Sequence, residues 1–192
     1  MRMTITRDID SLLARRSVGV LEEPAPTGAD LDLILDAGLR APDHGRLRPW
    51  RFVLIRGEAR AAFGERLTEA AMARNPETGA SLGARYRGWV ARTPLLIGVG
   101  AEIRTGHAIP VIEQLMAAGA AAMNMLNAIH LLGYGGMWVT GANTYDARVN
   151  ETLGFHAPSR LVCLLAVGTA REAQPIERPS REAHTVEWTG QA

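Results

Sequence analysis

The chain has 192 residues and a formal net charge of +1, so it suits one domain and gives no electrostatic reason to bind nucleic acid or a membrane surface. Apolar residues make up 47% and charged residues 21%, the profile of an ordinary globular domain, and we expect residues 1–192 to form that single domain. One cysteine and no lysine exclude an intramolecular disulfide and a phosphate loop of the Gly-Lys-Ser/Thr type.

The first half of the chain alternates between helical and extended patterns. Thr27 precedes an apolar stripe at helical spacing, and Asp30 three residues later gives a sequence that resembles a capping box. In chain order we expect a helix at 8–15, an irregular stretch at 22–26, a helix from Thr27 to Pro42, a loop at 43–45, a strand at 52–55, and helices at 59–73 and 81–91.

The second half contains the longest predicted helix, residues 111–132, which ends at Gly133. Its middle consists of alanines and Gly119. This predicts close packing at the centre of the molecule or of a dimer, although alanine also simply favours helix. The other expected elements are a strand at 95–99, a loop at 102–110, a strand at 137–140, a helix at 146–153, a strand at 161–167, and a C-terminal arm at about 171–192.

Two features of the second half of the chain concern the reactivity of its thiol and its relation to the membrane. Cys163 lies within the apolar run of the last strand, which predicts a buried, inert thiol. Polar side chains interrupt residues 111–132, whereas a bilayer span needs about 20 mostly apolar residues. Because charged residues also precede the first apolar run, no signal peptide is expected, and we predict a cytoplasmic protein.

Several familiar motifs fail. Gly98-Val99-Gly100 follows a strand, but Ile103 stands where a dinucleotide fingerprint needs its third glycine, and no helix is predicted to begin there. The histidines are scattered without the spacing of a metal site, and no Gly-x-Ser-x-Gly nucleophile motif occurs. We therefore expect no metal and no catalysis by side chains alone.

Arg15, Arg16 and Ser17 form the first of three clusters with chemical potential. They follow a predicted helix and offer two guanidinium groups and one hydroxyl. Guanidinium groups bind phosphate oxygens in pairs, and a hydroxyl adds a further hydrogen bond. The pattern therefore fits a phosphate dianion, and it also fits a solvated basic helix end.

The second and third clusters surround a proline and a run of glycines. Arg40 and His44 flank Pro42 and can reach one ligand, or they can be a helix cap and a loop histidine. Residues 133–140 are a glycine-rich approach to a strand that contains Trp138. Such a segment lets a flat ligand lie against the backbone, or it is a tight turn before a core strand.

In this order the clusters resemble the nitroreductase family, in particular its short, single-domain bacterial members of the NAD(P)H nitroreductase type. The resemblance covers most of the chain. It rests on short segments at matching separations: 15–17, 23–27, 37–44, 49–52, 113–114, the alanine-rich helix, 135–138 and 168–169.

The resemblance implies an α+β fold with a central, mostly antiparallel sheet flanked by helices. It also implies an intertwined homodimer that holds FMN between its subunits and uses NADH or NADPH as reductant. By this likeness the cofactor-binding residues are Arg15, Arg16 and Ser17 at the phosphate and ribityl chain, Arg40 and His44 from the other subunit, and Trp138, Val139 and Thr140 along the flavin ring. Arg178 matches a basic tail residue that meets the phosphate in larger members.

The sequence departs from the family pattern at four positions. Gly19 replaces a frequent arginine, and Arg48 replaces a frequent glutamine before Pro-Trp. Val139 and Thr140 stand where close relatives tend to have Arg and Ser. These changes affect the flavin-ring edge and the substrate pocket more than the phosphate site, and Arg48 is a candidate for the positive group near flavin N1.

The implied reaction is a ping-pong cycle in which NAD(P)H reduces the flavin and leaves, and a nitroaromatic, quinone or similar small molecule is then reduced. A flavin carries such chemistry, so the protein need only bind, orient and tune it. The alternatives are a dehalogenase-like or flavin-degrading member of the family, a non-catalytic flavin-binding or redox-sensing protein, and a structural dimerisation module.

Overall fold

A computed structural model of the chain describes residues 9–171 and 177–190. Its helices are α1 (residues 9–14), α2 (Gly28–Gly38), α3 (Ala59–Arg74), α4 (Pro76–Arg92), α5 (Val111–Leu131), α6 (Ala142–Tyr145) and α7 (Ala147–Thr152), with 3₁₀ turns at His44–Arg46 and Glu182–His184. Its strands are β1 (Leu21–Glu22), β2 (Trp50–Arg56), β3 (Leu95–Ala101), β4 (Gly135–Val139) and β5 (Arg160–Ala170).

The five strands form one antiparallel sheet around β5. On one side β5 pairs with β3, and β3 pairs with β2. On the other side β5 pairs with β4 from Gly168 to Leu164 and with β1 at Ala170 and Thr169. The predicted α+β fold with a central antiparallel sheet and flanking helices is confirmed.

Helices cover both faces of this sheet because the strand side chains alternate in direction. In β3, Leu95, Ile97 and Val99 pack with α2 and α5, whereas Leu96 packs with α3 and α4. In β5, Cys163 and the residues two and four positions later face the α2–α5 side. Both faces are therefore apolar, as expected for a strand between two helical layers.

Helix α5 lies at the centre of the molecule, as its small residues predict. Four of its alanines are almost fully buried, at positions 117, 118, 121 and 122. The opposite side of α5 is apolar and exposed, and its large residues are Ile112, Met116, Met123 and Leu131. Gly133 has a φ of 87° and ends the helix as predicted.

Three local predictions need correction. Strand β1 forms at Leu21–Glu22, where an irregular stretch was expected, because two residues suffice to pair with the end of β5. Helix α4 begins at Pro76 rather than residue 81, because the Asn75 side chain accepts hydrogen bonds from the backbone of residues 77 and 78. Helix α7 forms where the helix at 146–153 was expected, but α6 precedes it at Ala142–Tyr145, where no element was predicted.

The capping-box interpretation of Thr27 is wrong. Thr27 precedes α2, but its side chain makes no capping hydrogen bond. Asp30 instead accepts a hydrogen bond of 2.8 Å from the Tyr134 hydroxyl, which ties α2 to the segment before β4. This bond raises the pKa of Tyr134, since an ionised phenol could no longer donate to the carboxylate.

The C-terminal arm is described only in part. Residues 177–190 are exposed, whereas residues 172–176 and 191–192 lie outside the described residues. Among the helices that the structure describes, none combines the length and hydropathy that a membrane span requires.

Candidate functional site

Arg15, Arg16 and Ser17 follow α1 and run beside the edge of β4. The Val18 amide donates a 3.0 Å hydrogen bond to the Gly136 carbonyl, which fixes this segment against the strand. Arg15 and Arg16 are half-buried, and both line a cavity of about 190 Å³. Among the residues that the structure describes, no acidic side chain lines this cavity, so its charge suits an anion.

Arg178 joins this cluster from the C-terminal arm. Its guanidinium group donates a hydrogen bond to the Arg15 carbonyl. On the other side, the His130 ring nitrogen Nε2 lies 2.8 Å from the Ser11 carbonyl, so α5 also holds α1 in place. Two arginines therefore line the cavity at one end of β4, and the guanidinium group of a third contacts the backbone of Arg15.

Strand β4 leads from this small cavity to a larger one of about 770 Å³. Met137, Val139 and Thr140 line the larger cavity, whereas Gly136 lines the smaller one. A Cβ at Gly19 would lie 3.8 Å from the Met137 sulfur, in ordinary contact, so the segment after Ser17 also reaches this point. The two cavities thus share a strand, with cations at one end and a mainly apolar chamber at the other.

Trp138 does not face the larger cavity. Neighbouring residues of a strand point to opposite faces, so Trp138 packs toward α5 while Met137 and Val139 point away from it. A Cβ at Gly119 of α5 would lie 3.9 Å from the Trp138 ring. The expected lining residues Trp138, Val139 and Thr140 therefore do not share one surface within a single chain.

The glycines at the start of β4 serve internal packing. A Cβ at Gly135 would come within 2.7 Å of Leu21, and one at Gly136 within 3.1 Å of Leu126. The space beside them is thus filled by the core. Both glycines belong to β4 itself, and only Gly136 also lines the smaller cavity.

Arg40 and His44 lie on the other side of the molecule. Both are exposed, after the end of α2, and His44 Nδ1 is 2.5 Å from a Glu113 carboxylate oxygen at the start of α5. Arg48 follows in the left-handed region at φ 49°, and its amide donates a 2.7 Å hydrogen bond to the Asp43 carboxylate. These bonds define the shape of the loop between α2 and β2.

Helix α5 separates the two clusters. Glu113, beside His44, and His130, beside the cavity of Arg15 and Arg16, are seventeen residues apart on α5. At a rise of about 1.5 Å per residue this distance is roughly 25 Å. One chain therefore does not bring Arg40 and His44 to the ligand that Arg15 and Arg16 can bind.

The wall of the larger cavity contains two features that sequence patterns did not indicate. Helix α4 forms one side with Tyr86, Trp89 and its neighbours. The loop after β4 forms another, and Arg74 holds it by donating hydrogen bonds to Asn143 at 2.6 Å and Asp146 at 2.5 Å. Asp146 is buried, and Arg74 was indistinguishable in the sequence from the many surface arginines.

Gln114 is a second side chain that stabilises a loop and whose role the sequence did not indicate. It is 1% exposed and makes three hydrogen bonds, two with the backbone of Arg104 and one with that of Ile109. It therefore fixes the loop between β3 and α5. A buried glutamine in an apolar helix is the signal that was available, because buried amides require partners.

Cys163 is buried as predicted, and desolvation raises the pKa of its thiol to about 12. Within residues 9–171 and 177–190, no group of three or more histidine, cysteine, aspartate or glutamate side chains is placed to hold a metal ion.

Known proteins resemble this chain in sequence. An Escherichia coli (strain K12) protein named "Putative NAD(P)H nitroreductase YdjA" is 41% identical over 161 residues, which cover 84% of this chain and 87% of that protein. A Haemophilus influenzae protein named "Putative NAD(P)H nitroreductase" is 29% identical over 177 residues, or 92% of each chain.

Solved structures share the fold. A nitroreductase-like family protein from Bacillus cereus superposes with a TM-score of 0.80 at 23% identity, covering 95% of this chain and 96% of that one. A "putative nitroreductase in complex with fmn" from Desulfovibrio desulfuricans superposes with a TM-score of 0.74 at 23% identity, covering 96% and 98%. The Nitroreductase family model matches residues 12–169, so this chain belongs to the nitroreductase family.

Proposed function

We propose that the protein is an FMN-dependent oxidoreductase that takes hydride from NADH or NADPH and reduces a nitroaromatic, quinone or similar acceptor in a ping-pong cycle in the cytoplasm. The observation that carries this proposal is the strand β4, which joins an arginine-lined cavity to a larger, mainly apolar one. A flavin nucleotide has the matching polarity, with a phosphate at one end and a flat ring at the other.

The donor set at the small cavity fits a phosphate. Arg15 and Arg16 line it, Arg178 contacts Arg15, and Ser17 adds a hydroxyl in the same segment. Guanidinium groups and hydroxyls bind phosphate oxygens with charge-assisted hydrogen bonds. We assign the FMN phosphate and the start of the ribityl chain to these residues.

The larger cavity fits the ring and an acceptor. Met137 and Val139 offer apolar contact, and Thr140 offers a hydroxyl at the edge. When bound, FMN supplies the capacity to accept a hydride and pass on two electrons. The chain orients it and limits water through the walls that α4 and the Arg74-supported loop provide.

A homodimer completes the site in this proposal. Arg40 and His44 lie at one end of α5 and the phosphate cluster at the other, whereas the exposed face between them is apolar. Two α5 helices packed antiparallel through this face would bring the Arg40 and His44 end of one chain to the Arg15 end of its partner. The dimer axis would then pass near Gly119 and Ala120, two small, half-buried residues.

The relatives support the same activity. The Escherichia coli and Haemophilus influenzae proteins are named as NAD(P)H nitroreductases, and the Desulfovibrio desulfuricans structure contains FMN. The proposal extends this chemistry to the present chain through the cavities described above.

The decisive experiment measures flavin binding and turnover. The purified protein should absorb near the flavin maximum, and NADH or NADPH should bleach it under anaerobic conditions and restore colour when a nitroaromatic is added. The double variant Arg15→Gln/Arg16→Gln should bind FMN at least about tenfold more weakly, because two charged hydrogen-bond donors are lost.

The matched control is Arg56→Gln/Arg66→Gln, which removes two exposed arginines far from either cavity and should bind FMN normally. Equal FMN affinity in the Arg15/Arg16 double variant and the wild type would contradict the phosphate assignment. A protein that is reduced once by NAD(P)H but sustains no turnover would contradict the proposed enzymatic activity and favour a redox-sensing function.

A further inference from the structure

Two arginine side chains give the larger, mainly apolar cavity a positive charge. Arg85 and Arg92 both line it, on the same side of α4 as Trp89. Within the described part of the chain, no aspartate or glutamate lines it. The wall that faces β4 is therefore aromatic and positively charged.

The guanidinium group of Arg92 lies along this wall. A Cβ at Gly88 would meet an Arg92 terminal nitrogen at 3.2 Å, so the Arg92 side chain folds back over Gly88, which also lines the cavity. Positions 85, 88, 89 and 92 recur at helical spacing, so Arg85 and Arg92 share one face of α4 with Trp89.

Neither arginine is neutralised by the described part of the chain. No acidic side chain within residues 9–171 and 177–190 forms an ion pair with Arg85 or Arg92. Arg87, on the opposite face of α4, differs because it bonds to Thr68 at 3.0 Å and pairs with Glu65 at 3.4 Å. The cavity-facing arginines are thus available for a ligand.

We propose that this cavity selects anionic aromatic acceptors, with the carboxylate of the acceptor held by Arg85 and Arg92 and its ring packed against Trp89. This inference rests on the proposed function and names the substrate class of the same site. For a nitro substrate the reaction balances as R–NO₂ + NAD(P)H + H⁺ → R–NO + H₂O + NAD(P)⁺, with two electrons transferred per cycle.

The test compares two acceptors of similar shape and different charge, 4-nitrobenzoate and 4-nitrobenzamide. The measured quantity is the ratio of their kcat/KM values, in the wild type and in Arg85→Gln/Arg92→Gln. The two acceptors differ in intrinsic reactivity, and this difference cancels when the kcat/KM ratio of the variant is divided by that of the wild type. We expect the ratio of 4-nitrobenzoate to 4-nitrobenzamide to fall about fivefold in the variant at low ionic strength, since partly exposed ion pairs contribute modestly to binding.

Added salt should reduce the preference of the wild type for the anion, because exposed charges are screened. Arg87→Gln removes a charge from the other face of the same helix and should retain the wild-type ratio. A second readout needs no turnover: benzoate, which is not reduced, should perturb the absorption of the oxidised flavin with a lower Kd than benzamide, and the double variant should lose this difference.

The outcomes separate this inference from the proposed function. A colourless protein that cannot be reconstituted with FMN would contradict the proposed function. A yellow, active protein with the same acceptor ratio in the wild type and in Arg85→Gln/Arg92→Gln would overturn only the anionic site. The inference is also overturned if the double variant raises the KM for NADPH relative to NADH without changing the acceptor ratio, because the arginines would then bind the reductant's phosphate.

Discussion

Cys163 lies on β5 without exposed surface, and the protein interior disfavours its thiolate. Its pKa is about 12 in the folded chain, against an ordinary value of 9.0. Below pH 9 both states keep the proton, and the thiol adds no pH dependence. Between about pH 9 and 12 the unfolded chain loses the proton first, so the free energy of unfolding falls as pH rises.

The corresponding prediction concerns the slope of stability against pH. From pH 8 to pH 10 the free energy of unfolding of the wild type should fall by about 1 kcal/mol more than that of Cys163→Ala, whose side chain does not titrate. Urea denaturation of both proteins at the two pH values measures this difference, and every other titratable group is common to both. Parallel pH profiles would show that the thiol ionises without unfolding.

Asn150 is a buried side chain that makes three hydrogen bonds with the backbone. Its amide donates to the Thr144 and Asp146 carbonyls at 2.9 and 2.8 Å, and its oxygen accepts from the Leu161 amide at 2.5 Å. It therefore joins α6, α7 and β5. We predict that Asn150→Ala lowers the free energy of unfolding by about 2–4 kcal/mol, because three buried backbone groups lose their partner.

Asn124→Ala provides the comparison for this variant. Asn124 makes a single hydrogen bond, 3.2 Å long, to the Ala37 carbonyl, and its removal should cost about 1 kcal/mol. Chemical denaturation gives both values. Equal costs for the two variants would contradict the role assigned to Asn150.

Helices α3 and α4 pack closely against each other, and glycines on α4 make this contact possible. A Cβ at Gly79 would lie 2.4 Å from the Met72 Cα, and one at Gly83 would lie 2.4 Å from Thr68 Cγ2. Because Met72 presents backbone at this point, the contact cannot be relieved by rotating a side chain. The helix pair is therefore built for close backbone approach.

Gly79→Ala should consequently destabilise the protein, although alanine favours helix by about 1 kcal/mol over glycine. We expect a net loss of about 1–3 kcal/mol from overpacking, measured as a lower Tm. Ser81→Ala, at an exposed position on the same helix, should stay within about 0.5 kcal/mol of the wild type. An unchanged Tm in Gly79→Ala would mean that α4 can shift away from α3.

These elements also explain what the sequence could predict. Long apolar patterns indicated α2, α5, β3 and β5, because the buried stripes of the two helices and the continuous apolar runs of the two strands are strong signals. The first turn of α4 was missed because it is fixed by one Asn75 side chain and not by apolar spacing. Strand β1 was missed because two residues carry no periodicity and pair only through the end of β5.

The candidate site also contains some residues that the sequence could indicate and others that it could not. Residue types alone indicated Arg15, Arg16 and Ser17, since clustered guanidinium groups and a hydroxyl are a local pattern. The opposite directions of Trp138 and Val139 depend on which face of β4 meets α5, and local sequence does not encode this. The role of Arg74 likewise depends on a partner 72 positions away.

At the scale of the whole molecule, the exposed apolar face of α5 is the main feature that the single chain leaves uncovered. Ile112, Met116, Met123 and Leu131 are each more than a third exposed, although large apolar side chains favour burial. This face lies between the two clusters proposed to share one cofactor. A partner that covers it would therefore also join the two halves of the site.

Met116→Glu tests this arrangement, because it places a charge at the 65%-exposed centre of the face. We expect a monomer in sedimentation experiments, together with FMN affinity lowered at least about tenfold even though Arg15 and Arg16 are intact. Met72→Glu introduces the same charge at an exposed methionine of α3 and should remain dimeric. A Met116→Glu protein that is monomeric and still binds FMN normally would contradict a site shared between subunits.

The length of α5 has a genetic consequence. If each chain contributes Arg15 and Arg16 to one flavin and Arg40 and His44 to the other, two variants with different defects can complement each other. We consider co-expression of an Arg15→Gln/Arg16→Gln chain with an Arg40→Gln/His44→Ala chain. In a mixed dimer of the two, one cofactor site contains all four substitutions, and the other contains none. Nitroreductase activity should then reappear in cells that hold both alleles and stay low in cells with either allele alone.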